Sequence, residues 1–308
     1  MKSSLSRYLI AWIAKFLLLA AYMVSPGVNA AANTFKVFNA INYAGTPSLA
    51  SYGIRSVKIF YESSLDDSPG ILSRTRRYSK VKIDAAAASL LQSASQSLIS
   101  LDMETWGWSH SAIEKYRDSL KEFRRVSGDK VRLGFYNVMP TASRDLYIGF
   151  APPAGSASLS WTKSWLATWE NRQVVGLPLL DEVDVLMPAF YTYGTNTVAW
   201  EKMVKKAVSW ARQNAPGKPI YAYIWPQYYS QSVTKCSRQG VGGRFLPVEV
   251  WVSELNTLYR LVDGVIIWSP KTACTADGRL VNPSFDPKMP WFSATLNFMK
   301  IHGLDLVR

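Results

Sequence analysis

The chain alternates between short apolar runs and longer segments in which apolar residues recur every three or four positions. Short runs are typical of buried β-strands, and the longer spacing is typical of amphipathic helices. The pattern predicts strands over 36–41, 54–61, 98–101, 131–138, 183–191, 219–225 and 264–268. It predicts helices over 85 to about 98, 110–126, 161–175, 197–214, 248–261 and 291–302, with Asp84 and Ser109 as N-caps of the first two.

Loops rich in polar residues, Gly and Pro separate many of these elements. They are expected over 62–82, 139–159, 226–246 and 270–287. Strand and helix alternate about seven times, with long loops after strands, which favours an α/β fold of the (β/α) TIM-like barrel class. A barrel of about seven strands would be distorted relative to the regular eight-stranded barrel. No GxGxxG or GxxxxGK[ST] loop occurs, which argues against a nucleotide-binding sheet.

The first 30 residues have the pattern of a secretory signal peptide. Three basic residues precede the apolar stretch 16–24, and residues 28–30 (Val-Asn-Ala) form a small-x-small cleavage site. The apolar stretch is short for a transmembrane helix; an uncleaved anchor over 9–24 is the alternative. We expect a secreted or periplasmic protein without stable membrane insertion, in which 31–308 is a single catalytic barrel domain.

Charge and aromatic content narrow the choice of partner. The formal net charge is +13, and the leader contains three basic residues and no acid, which leaves +10 for the mature chain. Such a charge suits anionic polysaccharide, anionic lipid or nucleic acid. The 12 Trp and 16 Tyr residues can line a sugar cleft, although they can also fill a core. We therefore expect a polysaccharide as the partner and do not expect nucleic acid. Solubility and retention at a negative cell surface are the alternative use of the charge.

Cys236 and Cys274 are the two cysteines of the chain. Both lie in loops that follow predicted strands, in the part of the chain expected to be exported. Disulfides persist in oxidising compartments, so one bridge between neighbouring loops is expected.

The strand over 98–101 leads into two acids, Asp102 and Glu104. If the strand continues, positions two apart project from the same face. Two close carboxyl groups cannot both ionise freely, so one pKa rises. A carboxylic acid still protonated near neutral pH can protonate the leaving oxygen of a glycoside. Two solvated acids at a strand end are the alternative interpretation.

Aromatic residues follow the other predicted strands at the corresponding ends. In a β/α barrel, these ends build the active site. The candidates are Tyr136 and Asn137, Tyr191 and Tyr193, Trp225 and Tyr228, and Trp268, with Trp106 just beyond the acid pair. Together they indicate a sugar-binding cleft around Asp102 and Glu104.

Other hydrolytic chemistries lack their residues in this sequence. There are two histidines, His110 and His302, and no HExxH motif, which argues against a zinc hydrolase. No G-x-S-x-G elbow is present, and the two cysteines do not form a Cys-His pattern. No cofactor and no metal is expected, and the sequence leaves the oligomeric state open.

The sequence resembles the hyaluronidase family at five strand ends in the same order. Segment 101–106 (Leu-Asp-Met-Glu-Thr-Trp) is similar to the Asp-aromatic-Glu-x-Trp signature. Segments 133–140, 186–191, 219–228 and 264–268 are similar to the later strand ends of the family. Gly107 and Trp108 stand where the family usually has Arg-Pro, and its multiple disulfides are absent. The chitinase pattern DxxDxDxE is not met, since Ser97 and Ser100 occupy its earlier acidic positions.

The resemblance implies a retaining, substrate-assisted hydrolysis of polysaccharide that contains N-acetylhexosamine, here expected to be anionic. Glu104 would be general acid and then general base, while Asp102 and Tyr191 would hold the acetamido group whose carbonyl oxygen is the nucleophile. Tyr136, Tyr228 and Trp268 would shape the −1 subsite, and Trp106 and Trp225 would add aromatic contacts.

Two alternatives remain open. The first is a polysaccharide-binding barrel without catalysis, in which Glu104 is not productively placed. The second is a glycosidase with a conventional nucleophile, for which Asp184, Glu170 or Asp263 would have to enter the cleft.

Overall fold

The computed structural model describes residues 35–67, 78–91, 97–141, 143–152, 159–230, 235–236, 238 and 240–304. The predicted leader lies outside these residues. In the described part of the chain, no helix is both long and apolar enough to span a bilayer.

A curled sheet of six parallel strands forms the centre of the structure. The strands are β1 (Lys36–Ala40), β2 (Arg55–Tyr61), β3 (Ser97–Asp102), β4 (Val131–Phe135), β5 (Tyr221–Ile224) and β6 (Gly264–Trp268). Their order is β4-β3-β2-β1-β6-β5. Parallel neighbours need crossover connections, and helices supply most of these, as the alternating sequence pattern predicts.

The segment 184–192 bridges the two edges of this sheet. On the β4 side, the Asn137 N–H donates to the Met187 carbonyl at 2.8 Å; on the β5 side, the Tyr223 N–H donates to the Pro188 carbonyl at 2.8 Å. Isolated parallel bridges mark both contacts. The segment acts as a seventh, irregular strand that closes the ring, which confirms the prediction of a distorted β/α barrel of about seven strands.

Seven α-helices are described around this ring. They are α1 (Lys80–Leu90), α2 (His110–Ser127), α3 (Ser143–Phe150), α4 (Leu159–Gly176), α5 (Thr197–Asn214), α6 (Val248–Leu261) and α7 (Pro290–Ile301). Ser109 caps α2, accepting from the Ala112 N–H at 3.1 Å. The bounds of α5, α6 and β6 agree with the sequence pattern.

The first helix begins earlier than predicted. Its N-cap is Ser79, whose hydroxyl accepts from the Lys82 N–H, and Asp84 lies inside the helix. Lys80 and Arg125 pair with Asp84 at 3.5 and 2.8 Å. The acid therefore ties α1 to α2, and the helix ends at Leu90, well before β3.

Two of the predicted loops contain regular structure. The helix α3 lies within 139–159, where the pattern predicts only loop, and Leu146 of this helix is fully buried. The loop over 270–287 contains an antiparallel pair, β7 (Ala273–Cys274) and β8 (Leu280–Val281). The predicted bridge between Cys236 and Cys274 is present, with a Cα–Cα distance of 5.6 Å.

The barrel interior is filled by side chains that alternate along each strand. Phe38, Val185, Met187, Tyr223 and Ile266 all belong to this inner cluster and are 5% exposed or less. This packed layer separates the two ends of the barrel, and each end contains its own cavity.

Candidate active site

The carboxyl ends of the strands surround a cleft of about 210 Å³. It is lined by Ile59, Asp102, Glu104, Tyr136, Tyr191, Tyr223, Trp225, Tyr229, Ser230 and Trp268. Because all strands of a parallel ring end on the same side, residues from distant parts of the chain meet here. Six of the eight predicted catalytic and sugar-binding residues are among them.

The acid pair comes from the end of β3 and the turn that follows it. Asp102 is the last residue of the strand, and Glu104 lies in the turn that follows. The expectation that the strand continues through Glu104 is therefore wrong. Met103 is fully buried between the two acids, and its carbonyl accepts from the Tyr116 hydroxyl at 2.8 Å. This anchor on α2 fixes the turn so that both carboxyl groups face the cleft.

The two carboxyl groups are hydrogen-bonded to each other. Burial raises the pKa of Asp102 well above its usual range, and the charges of Glu104 and Glu62 raise it further. Burial also raises the pKa of Glu104, although part of this side chain is open to the cleft and its bond with Asp102 opposes the rise. The pair therefore retains a proton at a pH where ordinary carboxyl groups have lost theirs.

Two further acids, Glu62 and Asp66, hold the loop that carries Glu104. Glu62 accepts hydrogen bonds from the backbone N–H of Thr105 at 3.1 Å and from its hydroxyl. Asp66 is buried and accepts from the indole N–H of Trp106 at 2.9 Å. Sequence reasoning placed both acids in an irregular loop after β2 and missed this role, since no local pattern connects them to a segment 40 residues away.

Aromatic rings form the wall of the cleft opposite the acids. The rings of Tyr136 and Tyr191 lie side by side with centroids 6.3 Å apart, and burial raises the pKa of both hydroxyls well above the ordinary value. Ring centroids of Tyr191 and Trp268 lie 6.0 Å apart, and those of Trp225 and Trp268 lie 5.2 Å apart at a steep angle. Both tyrosines thus stay neutral and can act as hydrogen-bond donors.

The indole of Trp225 is fixed from behind by Gln227. The Gln227 side-chain oxygen accepts from the Trp225 indole N–H at 2.5 Å and from the Tyr43 hydroxyl at 2.9 Å. Its amide group donates to the carbonyl of Gly243 at 2.7 Å. Gln227 is fully buried, so this network holds the cleft wall in one orientation.

Two predicted site residues, Trp106 and Tyr228, do not line the cleft. Trp106 is buried against Tyr116 of α2, with ring centroids 5.1 Å apart. Tyr228 belongs to the core between the ring and the helices, and its neighbour Tyr229 enters the cleft instead. The signal was present in the alternation: Trp225 and Tyr229 have the same parity, and Tyr228 has the opposite one.

The acids required by a conventional two-carboxylate mechanism lie elsewhere. Asp184 pairs with Arg124 at 3.0 Å, and Asp263 pairs with Arg212 at 2.8 Å. Glu170 pairs with Lys206 at 2.8 Å on the helical layer. None of the three lines the cleft, which contradicts the alternative that one of them serves as nucleophile.

The described lining of the cleft contains no lysine or arginine. The described Lys and Arg residues thus lie outside the lining itself; burial raises the pKa of Tyr229, and the charge of Arg144 opposes this rise. Within the part of the chain that the structure describes, no group of three or more His, Cys, Asp or Glu side chains is arranged to hold a metal ion.

Comparisons with known proteins give fold similarities at low identity. No family model matches the sequence, and no curated protein matches it. Similar solved structures include a GH2 β-galacturonidase from Eisenbergiella tayi bound to galacturonate, with 12% identity and a TM-score of 0.39 over 87% of this chain and 51% of that chain. A family 1 β-glucosidase from Thermotoga maritima in complex with isofagomine lactam has 10% identity and a TM-score of 0.40, over 83% and 85% of the two chains.

A mandelate racemase/muconate lactonizing enzyme from Sulfitobacter sp is also similar, with 12% identity and a TM-score of 0.25 over 82% of this chain and 61% of that chain. The chain spans about half the length of the galacturonidase. The barrel class itself follows from the strand order and the ring closure described above.

Proposed function

We propose that the protein is an exported glycoside hydrolase that cleaves N-acetylhexosamine-containing polysaccharide by a substrate-assisted retaining mechanism. The observation that carries the proposal is the hydrogen-bonded pair of Asp102 and Glu104, which supplies every carboxyl group among the described residues of the cleft. The resemblance of the strand ends to hyaluronidases supports the same assignment.

The spacing of the pair argues against a separate protein nucleophile. In conventional retaining enzymes the two carboxyl groups flank the sugar about 5–5.5 Å apart, and in inverting enzymes about 6.5–9.5 Å apart. Two carboxyl groups in hydrogen-bond contact leave no room for a sugar ring between them. We therefore assign the nucleophile to the substrate, since the carbonyl oxygen of a 2-acetamido group can reach the anomeric carbon of its own sugar.

The roles of the two acids follow from their exposure. Glu104 is open to the cleft and donates the proton of the pair to the glycosidic oxygen. The Asp102 carboxylate accepts a hydrogen bond from the acetamido N–H and offsets the positive charge that develops on this group as its oxygen attacks the anomeric carbon. Water then opens the cyclic intermediate, and Glu104 takes its proton as general base.

The neutral wall completes the site. The Tyr191 hydroxyl is a donor toward the acetamido oxygen, while Tyr136, Trp225, Tyr229 and Trp268 enclose the sugar ring. No Lys or Arg is among the described residues of this wall, so we do not propose the preference for anionic polymers that the overall charge had indicated.

The test is purified protein lacking the leader, assayed on a panel of chitin, hyaluronan and chondroitin fragments with reducing-end detection. Glu104→Gln should lower turnover at least about 100-fold with the fold intact, because general acid catalysis typically contributes about 10²–10⁴-fold. The matched control is Glu114→Gln, an exposed glutamate of α2. Turnover near wild type in the Glu104 variant, or no cleavage of any polymer by the wild type, would reject the proposal.

A second experiment separates substrate assistance from other retaining mechanisms. Asp102→Asn should slow hydrolysis of 2-acetamido substrates, and a thiazoline analogue of the cyclic intermediate should inhibit the wild type. A glycosyl-enzyme trapped covalently on a carboxylate by a 2-fluoro sugar would instead show a protein nucleophile.

A further inference from the structure

A buried acid that the proposed reaction does not use lies behind the wall of the cleft. Glu254 of α6 is 3% exposed. One of its carboxyl oxygens accepts a hydrogen bond from the Thr192 hydroxyl at 2.7 Å, and the other is buried with no hydrogen-bond partner among the described residues. A buried polar atom without a partner opposes folding, so stability alone does not explain an acid at this position.

Thr192 connects Glu254 to the cleft. It is the last residue of the segment 184–192, which closes the ring. Its hydroxyl donates to Glu254, and its carbonyl accepts from the Tyr229 N–H at 2.8 Å. Tyr229 lines the cleft, and so does Tyr191, the residue that precedes Thr192. One threonine therefore links the buried acid to two residues of the aromatic wall.

The two tyrosine rings depend on the position of Thr192. Successive side chains of an extended segment point to opposite faces, so Thr192 faces α6 while Tyr191 belongs to the inner cluster of the barrel. The Tyr191 and Tyr229 rings are stacked, with centroids 6.0 Å apart and 19° between their planes. Because the Thr192 backbone is bonded to that of Tyr229, a displacement of Thr192 would shift both rings.

Burial sets the ionisation of Glu254. It raises the pKa of this acid from 4.5 to about 8, and the bond from Thr192 opposes only part of the rise. Toward the ring the acid faces Thr192 and Tyr228, whose own pKa is raised by burial and then by the charges of Glu254 and Glu249. The side chains that the neighbouring helices α5 and α7 bury are all non-ionisable. Above about pH 8, the carboxylate therefore gains free energy by moving toward water.

We propose that Glu254 is a positioning residue of the cleft, which holds Tyr191 and Tyr229 through Thr192 in the arrangement that binds sugar. When Glu254 loses its proton, the contact with Thr192 yields and the wall loosens. The fold thus sets an alkaline limit on sugar binding that is separate from the titration of the acid pair. The inference rests on the proposed function for its ligand, whereas the hold on the wall is measurable in the free protein.

The first test is hydrogen–deuterium exchange of the free protein lacking the leader at about pH 6 and about pH 9, corrected for the intrinsic pH dependence of exchange. Peptides around Tyr229 report on the wall, and peptides from β6 report on the centre of the sheet. In the wild type, the wall amides should exchange at least about tenfold faster at the higher pH while staying less protected than β6, because the wall opens locally.

Glu254→Gln should abolish this acceleration, because the Gln side chain can accept from Thr192 but cannot ionise. The same acceleration in the variant and the wild type, or none in either, would overturn the proposal. Equal protection of the wall and β6 amides in the wild type would also overturn it, since exchange would then report global unfolding only.

The second test measures sugar affinity by tryptophan fluorescence in the Glu104→Gln background, which suppresses hydrolysis. The probes are an N-acetylglucosamine trisaccharide and a hyaluronan hexasaccharide. From about pH 6 to about pH 9, the protein with Glu254 should lose about tenfold more affinity than the protein with Glu254→Gln, because only the neutral acid keeps the wall in place. A change in stability alone would not alter the affinity of a protein that stays folded.

Variants of the partner locate the effect. Thr192→Ser keeps the hydroxyl donor and should bind as the parent does, whereas Thr192→Val removes it and should weaken binding about 2- to 10-fold at both pH values. Glu249→Gln, an exposed change on the same helix, should have no effect. Circular dichroism checks that each variant is folded.

The two tests separate this inference from the proposed function. Failure of both probes to bind at about pH 6 would count against the proposed function, and the exchange measurement would then decide the role of Glu254 by itself. An affinity that falls equally with pH in the presence and absence of Glu254 would overturn the inference and leave the proposed function intact.

Discussion

A buried acid outside both cavities, Glu254, gives the most quantitative prediction. It lies on α6, is 3% exposed, and accepts a hydrogen bond from the Thr192 hydroxyl at 2.7 Å. Its second carboxyl oxygen is buried and has no hydrogen-bond partner among the described residues. Burial raises the pKa of Glu254 from 4.5 to about 8, and the bond from Thr192 opposes only part of this rise.

The raised pKa makes stability depend on pH with a definite sign. Below about pH 4.5 the carboxyl group is protonated in both states, and its full contribution is present. As the pH rises from 4.5 to about 8, the unfolded chain releases the proton while the folded protein still holds it, so the free energy of unfolding falls. Since one pKa unit corresponds to about 1.4 kcal/mol, the loss across this interval approaches about 5 kcal/mol.

Glu254→Gln should remove this loss. The side-chain oxygen of Gln can still accept from Thr192, and the variant cannot ionise. Urea unfolding followed by tryptophan fluorescence, at steps from about pH 5 to about pH 8, should show the variant gaining stability over the wild type by up to about 1.4 kcal/mol per pH unit. Taking the difference between the two proteins cancels the titration of the catalytic pair.

The matched control is Glu249→Gln, which changes an exposed acid on the same helix. It should follow the wild type at every pH. A constant difference between the wild type and Glu254→Gln across the whole range would refute the reasoning, because it would mean that Glu254 titrates alike in the folded and unfolded states.

Three further predictions concern the cleft. Glu62→Gln removes a charge that raises the pKa of both catalytic acids, so the alkaline limb of the pH–rate profile should move to lower pH; an unchanged profile would contradict this. Tyr229→Ala should raise KM about 2- to 10-fold, since an aromatic contact is worth about 0.5–1.5 kcal/mol, whereas Tyr228→Phe, changed outside the cleft, should leave steady-state kinetics unchanged. KM should be insensitive to salt, because no Lys or Arg is among the described lining residues; a KM on hyaluronan that rises steeply with salt would place cations in the substrate path.

Local sequence determined most of the secondary structure. The period of 3.6 residues was sufficient to predict α5 over its full length, and the apolar run of β6 was sufficient to predict that strand. Both signals depend on neighbouring residues only. The prediction that the apolar run 98–101 leads into the acid pair also came from local pattern, whereas the expectation that the strand continues through Glu104 was wrong, since Glu104 lies in a turn.

Local pattern failed where distant contacts decide the conformation. The helix α3 forms in a segment whose composition is typical of a loop, because Leu146 is buried by the surrounding structure. Tyr228, which was predicted to line the cleft, lies in the core instead, although the alternation of the strand pointed to its neighbour Tyr229.

The tertiary structure alone assembled the two ends of the barrel. Glu62 contacts Thr105 across 43 residues of sequence, and Lys36, Arg55 and Arg132 lie far apart in sequence although they line one cavity. Side-chain periodicity predicts which face of an element is buried, but it does not predict which elements become neighbours. That depends on the order of strands in the ring, and the closure of the ring by residues 184–192 is a long-range event that no local run of residues encodes.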